Sequence, residues 1–402
     1  MAAERHDTIV VGAGILGLAV AREILARRPA ERVLVLEREA APAAHQSSHN
    51  SGVIHAGIYY APGSLKARLC VEGAARLYAY CAANAIDVRR IGKLVIALRP
   101  DELPALDELG RRARANGVAD ARRVDGDGLR AIEPHAAGIA ALHSPGTAIV
   151  DFGAVCRQLA ADVVAAGGEL RCGWEVRGAT ATARAIRLRS AAGDEAQAAR
   201  AVFCAGLWSD RLAVLAGADG DPRIVPFRGA YRQLRPERSA LVRGLIYPVP
   251  DARLPFLGVH LTPRLDGTVL IGPTALLVGA RDGYRLGALR AADVRATATW
   301  PGTWRMLRRW WRTGLTEAHL AASPAAFAAA AARYVPGIQA GDLRPAFAGV
   351  RAQAVGRDGR LIDDFALSCT PRAIHVRNAP SPAATSALAL AALIADRADQ
   401  LG

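Results

Sequence analysis

Lysine is almost missing from this chain. Lys66 and Lys93 are the only two among 51 basic residues, so arginine carries nearly all of the formal net charge of +14. There is no lysine block, basic tail or zinc-finger spacing, and the arginines are scattered through an alanine-rich sequence. Nucleic-acid binding is therefore not expected, and anionic substrates, phosphates or a membrane surface explain the charge better. Paired cysteines are missing too. Cys70, Cys81, Cys156, Cys172, Cys204 and Cys369 form no CxxC pair, which predicts reduced thiols rather than a disulfide framework, and no metal site. No window of about twenty apolar residues is free of charge, which argues against a membrane span. The first residues, MAAERHD, lack signal-peptide organisation. A cytoplasmic chain is expected, either soluble or peripheral on the inner face of the cell membrane.

What is present begins with length. At 402 residues, 51% of them apolar, the chain can bury two cores, and two domains are expected. The clearest local signal spans residues 7–37. A continuous apolar strand, Thr8 to Val11, runs into Gly12-Ala13-Gly14-Ile15-Leu16-Gly17, which opens a helix reaching about Arg28. A second strand, Val33 to Leu36, ends in Glu37. This is a βαβ unit with GxGxxG in its required context. Gly12 permits the tight turn, Gly14 lets backbone approach a pyrophosphate, and Gly17 lets helix pack on strand. The helix start offers free N–H groups and a positive dipole end. Glu37 can accept ribose hydroxyls and disfavours a 2′-phosphate, hence NADP.

His45 to Lys66, HQSSHNSGVIHAGIYYAPGSLK, is too polar for a buried strand and lacks helical spacing until Leu65. It reads as a long ordered loop of functional character. Helices are predicted over Leu65–Ala85 and Phe152–Ala166, with residues 101–133 read as helices joined at Asn116-Gly117. Short strands broken by Pro and Gly over 223–285 suggest an antiparallel sheet, and 289–335 turn helical. Ala201 to Cys204 is a strand stopped at Ala205-Gly206, and a last helix runs from Ala383 to about Asp399. The fold class is α/β with an α+β second domain. A discontinuous Rossmann-like domain (1–90, 147–222 and 342–402) carries an inserted antiparallel-sheet substrate domain (91–146 and 223–341, with a helical region at 287–333).

The segments HNSGVIHAGIYYAPGSLKARLC (His49–Cys70), GKLVIA (Gly92–Ala97), RIVPFRGAY (Arg223–Tyr231), IYPVPDARLPFLGVHLTPRLDG (Ile246–Gly267), AGVRAQAVGRDG (Ala348–Gly359) and HVRNAPSPAATS (His375–Ser386) stand in one order along nearly the whole chain. In this the sequence resembles the D-amino-acid-oxidase-like superfamily of FAD-dependent oxidoreductases, and more narrowly its L-2-hydroxyglutarate dehydrogenase/oxidase family. The helical region from about 287 to 333 matches poorly, and nothing specific to the family is carried over there. The resemblance implies FAD held by Gly12, Gly14, Gly17, Glu37, Ser48, Asn50, Ser51 and Gly52, with Val176 near the adenine. Gly206 and the Gly349–Arg351 segment would lie beside the flavin. The implied reaction oxidises L-2-hydroxyglutarate to 2-oxoglutarate by hydride transfer and passes electrons to a quinone or to oxygen. An amino-acid or glycerol-3-phosphate oxidising flavoenzyme on the same fold is the alternative. A non-catalytic peripheral membrane scaffold is a more distant one.

That chemistry requires a base for the hydroxyl proton and cations for two carboxylates. Histidine suits the base, and His55 and His260 are the candidates because each sits in a segment carrying the resemblance. Arg351 is the first choice for a carboxylate, since guanidinium matches it in a two-bond fork. Lys66 and Arg228 are further cations, and Tyr59 and Tyr60 are hydrogen-bond donors of which one is expected to pack in the core. His49 is expected to brace the loop and His375 to lie in a strand. At the last helix, the N–H groups of Ala383, Ala384 and Thr385 would stabilise negative charge on a reduced flavin. Trp300 to Arg312 places Trp304, Leu307 and Trp311 on one face, with Arg305, Arg308, Arg309 and Arg312 largely elsewhere. This pattern suits a membrane surface; packing on a neighbouring helix or subunit is the bland alternative.

Overall fold

The computed structural model describes residues 5–251, 254 and 256–401. The start MAAE, Ala252, Arg253 and Pro255 of the quoted Ile246–Gly267 segment, and Gly402 lie outside the described residues. The predicted βαβ unit forms as β1 (Arg5–Val11), α1 (Ile15–Arg27) and β2 (Val33–Leu36). β1 lies parallel between β2 and the strand Glu195–Phe203. Both faces are covered where these strands lie side by side, which is why residues 9–11, Val33–Leu36 and residues 201–203 read as apolar runs. Glu195–Phe203 changes partner along its length. Its first half pairs antiparallel with Ile186–Ser190, and Ala201 to Phe203 pair parallel with Ala373–Asn378.

Four helices cover this sheet: α1, Leu65–Ala83, Phe152–Ala165 and Ala383–Asp399. Their apolar stripes share one core with Leu18, Ile24, Leu69, Leu77, Leu159, Leu390 and Ile394 all buried. Each such side chain contributes roughly 1.5–3 kcal/mol through removal from water. Gly73 sets the closest crossing, because a Cβ there would stand 2.6 Å from Ser386 Cα. The helix that follows the long loop therefore presses directly on the start of the last helix. That contact brings two distant stretches of sequence together at one place.

The second sheet has nine strands among the described residues. Arg223–Leu234 and Leu343–Val355 form its antiparallel spine, with Gly229 opposite Gly349. From that spine the sheet continues through Val269–Gly272, His260–Pro263, Leu245–Pro248, Lys93–Ala97, Ala140–Ser144 and Arg122–Asp125. Three departures from the sequence reading have local causes. The pair Leu245–Pro248 with Lys93–Ala97 is parallel, so the sheet is mixed rather than antiparallel throughout. Residues 343–355 belong to this sheet, although the expected boundary at 342 gave them to the nucleotide domain. Pro345 and Gly349 hide a long strand that pairing with Arg223–Leu234, not local propensity, holds in place. Arg122–Asp125 is a strand where helix was predicted, because Arg-Arg-Val-Asp carries no apolar period of either kind.

A small third sheet pairs Val53–Ile54 and Val88–Arg90 with Ala148–Val150, anchoring the middle of the long loop. The helical region comprises Ala291–Ala298, Pro301–Ala322 and Pro324–Ala332. The middle helix kinks at Trp310 (φ −121°, ψ 24°). The kink breaks the expected common face. Trp304 and Trp311 stay exposed, whereas Leu307 and Trp310 pack toward Val225, Met306 and Val355.

Candidate active site

One cavity of about 1020 Å³ runs from the glycine turn to the second sheet. At its first end the backbone leaves no room for side chains. Gly12 has φ +105° and a Cβ there would lie 2.5 Å from the Cys204 carbonyl oxygen; one on Gly17 would lie 1.9 Å from the Gly12 oxygen. Gly17 thus seats α1 on β1, as its spacing predicts, and it does not itself line the cavity. Gly14 is the N-cap of α1, whose first turn contains no acid to neutralise the positive dipole end. Ser47 Oγ accepts from Ile15 N–H at 2.9 Å at this helix start. Glu37 is buried, with Oε2 accepting from Ala13 N–H at 2.7 Å and Oε1 from Glu39 N–H at 2.9 Å. A carboxylate held so keeps lone pairs for a ribose. Glycine cradle, bare helix start and fixed acid together fit a dinucleotide.

The long loop follows. Of its expected cofactor residues, Asn50 and Ser51 line the cavity; Ser48 and Gly52 do not. Ser48 Oγ donates to the Ala43 carbonyl. Gly52 turns at φ +74°, and its carbonyl accepts from Val150 N–H at 2.8 Å. Those two residues shape the loop, and Ser47, one residue earlier, stands at the helix start instead. Asn50 uses Nδ2 on the Gln46 and Ser47 carbonyls at 3.0 and 2.8 Å, and its Oδ1 on Gly52 N–H at 2.8 Å. Val176, Gly206, Gly349, Ala384 and Thr385 all line the cavity. A Cβ on Gly349 would stand 2.4 Å from the His49 carbonyl oxygen, so only glycine lets that strand pass the loop. His49 braces the loop, its Nδ1 2.9 Å from the His45 carbonyl oxygen and its ring 4.4 Å from that of Tyr284. His375 lies in the strand Ala373–Asn378.

The last helix meets the loop at His55. Thr385 Oγ1 accepts from His55 N–H at 3.1 Å, and Cys70 Sγ donates to the His55 carbonyl at 3.3 Å. The imidazole is therefore carried on a backbone clamped from two helices. Its Nδ1 lies 3.3 Å from Lys93 Nζ, and its Nε2 is 3.5 Å from Ser381 Oγ. Burial, then Lys93, His260 and Lys66, holds the His55 pKa well below the ordinary imidazole value. Ala383 N–H is spent on the Pro380 carbonyl at 2.8 Å, contrary to the expectation that all three amides are free. Those of Ala384 and Thr385 bond no backbone acceptor among the described residues.

Across the cavity, His260 Nδ1–H donates to the Gly258 carbonyl at 3.0 Å, leaving Nε2 as an acceptor. Its ring stacks on Tyr247 at 4.1 Å, and burial pulls its pKa down to about 3. Arg351 lines the same wall with its guanidinium 5.1 Å from the Phe256 ring centre, and it forms no ion pair among the described residues. Its charge helps to depress the pKa of His260, which places it on the histidine's side of the site. Lys66 also lines the cavity, over the Tyr60 ring at 5.3 Å, but its Nζ already donates to Asp363 O and Oδ1 at 2.7 and 2.9 Å. Tyr59 and Tyr60 both line it, so neither is simply core. The Tyr59 hydroxyl is buried and has no hydrogen-bond partner among the described residues, and an orphaned donor on a cavity wall points to a ligand.

Arg228 is not part of this group. Its Nε donates to the Tyr284 carbonyl at 2.9 Å, and it is not among the residues that line the cavity. The sequence reading missed Ser47, Tyr247 and Lys93. Only Lys93 left a signal, as one of two lysines in an arginine-rich chain and the first residue of an otherwise apolar strand.

Comparison with known proteins agrees with this geometry. Residues 7–397 match the family described as DAO, FAD dependent oxidoreductase. The mitochondrial L-2-hydroxyglutarate dehydrogenase of Nematostella vectensis is 42% identical over 413 residues, covering 98% of this chain and 91% of the relative. The Homo sapiens protein of the same name is also 42% identical, over 98% of this chain and 89% of its own length. Among solved structures, dithionite-reduced L-alpha-glycerophosphate oxidase from Mycoplasma pneumoniae with FAD bound superposes with a TM-score of 0.79. That match covers 99% of this chain and 94% of the other at 22% identity, a likeness of fold.

Proposed function

This chain belongs to the FAD dependent oxidoreductase family, and we propose that it oxidises L-2-hydroxyglutarate to 2-oxoglutarate with FAD as cofactor. One observation carries the reading. Among the described residues, an arginine without an ion-pair partner, two histidines held neutral and a tyrosine hydroxyl without a hydrogen-bond partner line the same cavity as the dinucleotide turn. The dehydrogenases at 42% identity support the choice of substrate.

The residues divide the work as follows. Gly12, Gly14 and the start of α1 would hold the pyrophosphate, and Glu37 the ribose. The bound flavin supplies a two-electron acceptor for the hydride on the substrate's hydroxyl-bearing carbon. Arg351 pairs with one substrate carboxylate in a two-bond fork, and Lys66, already shared with Asp363, supplies weaker positive charge for the other. His260 Nε2 accepts a hydrogen bond, and its fixed tautomer keeps that nitrogen unprotonated at neutral pH. His55 is the base that takes the hydroxyl proton as the carbon–hydrogen bond breaks. The free amides of Ala384 and Thr385 sit where a helix dipole favours negative charge.

Anaerobic bleaching of the flavin absorbance is the test. L-2-hydroxyglutarate should bleach it, while the D enantiomer, glutamate and glycerol 3-phosphate should not. Bleaching by glutamate or glycerol 3-phosphate in preference would overturn the substrate, and no bleaching by any of them would favour a non-catalytic scaffold.

The electrons then pass to a quinone or to oxygen, and the surface favours a quinone in a membrane. Among the described residues no helix is long and apolar enough to cross a membrane. Trp304, Trp311 and Leu315 are exposed on the kinked helix beside Arg305, Arg308, Arg309 and Arg312. Exposed tryptophans beside arginines suit the boundary of an anionic bilayer.

A further inference from the structure

Lys93 sits behind His55, outside the cavity lining and 1% exposed. Its Nζ lies 3.3 Å from His55 Nδ1, 4.2 Å from the Tyr247 ring centre and 5.2 Å from that of Tyr59. The titratable groups around it are His55 on the loop, Tyr59, Cys70 on the helix Leu65–Ala83, and Tyr247 and His260 on neighbouring strands. The charge of Lys93 acts on His55 and His260, and it forms no ion pair with a carboxylate among the described residues. An unpaired buried ammonium is costly, and the group neutralises instead. Burial accordingly lowers the Lys93 pKa to about 7.

The base reading of His55 leaves a difficulty. A proton taken at Nε2 would create an imidazolium in a buried site beside Lys66 and Lys93, the surroundings that already hold its pKa well below 6.5. His55 alone is a weak base, and it needs somewhere for the charge to go. Its second nitrogen faces Lys93.

We propose that Lys93 is the proton partner of His55, a positioning residue that fixes the imidazole tautomer and takes up the proton the imidazole cannot keep. The inference rests on the reading of His55 as base. In the active form, which predominates above pH 7, the Lys93 amine is neutral and accepts from His55 Nδ1–H, so Nε2 presents its lone pair to the cavity. When the substrate hydroxyl gives its proton to Nε2, the Nδ1 proton moves to Lys93 Nζ. One N–H bond forms at Nε2, one breaks at Nδ1 and one forms at Nζ. The imidazole stays neutral throughout, and the electron pair of the broken O–H bond remains on the substrate to form its carbonyl, while bound FAD would supply the acceptor for the hydride. The reverse shift resets the pair when Nε2 loses its proton to product or water. A permanently charged Lys93 would instead donate to Nδ1 and force the proton onto Nε2, so the enzyme is active only when Lys93 is deprotonated.

The scarcity of lysine makes this directly measurable. Holoenzyme grown with lysine labelled with carbon-13 at Cε should show two lysine resonances, assigned with Lys66→Arg. The Lys93 signal should titrate near pH 7, and its midpoint should move in His55→Gln. A Lys93 midpoint above pH 9, or one indifferent to His55→Gln, overturns the proposal without requiring any Lys93 variant to fold. Stopped-flow reduction of the bound flavin gives the second readout. The parent rate should rise with pH through about 7. Lys93→Met should be at least tenfold slower at pH 8 and lose that rise, and Lys93→Arg should not rescue it. Parent-like rate and pH profile in Lys93→Met would reduce Lys93 to a packing role while leaving His55 as base. Parent-like flavin reduction in His55→Gln would instead remove the base itself.

Discussion

Replacing Lys93 with Met tests the cost of its burial separately from any catalytic role. The folded-state pKa is about 7 against an ordinary 10.5, and each unit corresponds to about 1.4 kcal/mol. Because the folded value is depressed, the unfolded chain binds more protons between pH 7 and 10.5, and stability rises with pH across that window. Below pH 7 the full cost of about 5 kcal/mol is present, and above 10.5 none remains. Methionine carries no such cost. Its advantage should therefore shrink by about 2 kcal/mol between pH 7 and pH 9. Lost contacts to His55 and Tyr247 displace the whole difference, so only its change with pH is diagnostic. Unfolding entropy near 2.1 cal/mol/K per residue makes that change about 2–3 °C in relative Tm for a chain of this length. Paired melts of the two FAD-loaded proteins at pH 7, 8 and 9 would measure it. A difference that stays constant over that range would show that Lys93 is charged at neutral pH, and the argument from its burial would fail.

The other expectations follow from single contacts. His55→Gln should keep bound FAD, seen in its absorbance, while flavin reduction falls by about 10²–10⁴, the usual share of a positioned base. Arg351→Met removes a charge-assisted bond of about 1.5–3 kcal/mol. It should raise the KM for L-2-hydroxyglutarate roughly 10–100-fold, and an unchanged KM would mean that another residue anchors the carboxylate. Gly17→Ala puts a methyl 1.9 Å from the Gly12 carbonyl oxygen; the purified protein should contain little FAD by its absorbance ratio, with any binding restored only at raised FAD. Trp304→Ala with Trp311→Ala should abolish co-sedimentation with anionic liposomes while sparing flavin reduction, and unchanged binding would rule out this helix as the membrane contact.

The nucleotide end of the cavity was legible because its chemistry is local. Gly12, Gly14, Gly17 and Glu37 lie within one βαβ unit, so spacing alone brings them together. The substrate end depends on contacts that spacing does not encode. Gly73 lets two helices cross so that Thr385 reaches the backbone of His55, a hydrogen bond spanning 330 positions. Leu343–Val355 read poorly as a strand because Pro345 and Gly349 interrupt it, yet that strand carries Arg351 to the cavity. Ser47 and Ser48 are adjacent in a loop with no period, so spacing does not say which hydroxyl reaches the helix start. Arg228 carries the right charge, but in so arginine-rich a chain charge says little about where a side chain points.

Lys93 shows the opposite kind of miss, since its clue lay in composition. A chain that uses arginine almost everywhere keeps lysine at two buried positions, one on the cavity wall and one directly behind it. Guanidinium stays protonated at any physiological pH, so arginine can anchor an anion but cannot exchange a proton. Lysine alone among the basic aliphatic side chains can be brought to neutrality by burial. Arg351 performs the task that needs a permanent charge, and Lys93 stands where a cation that can be switched off has a use. That division gives a chemical reason for the two residue types, which counting charges toward +14 conceals.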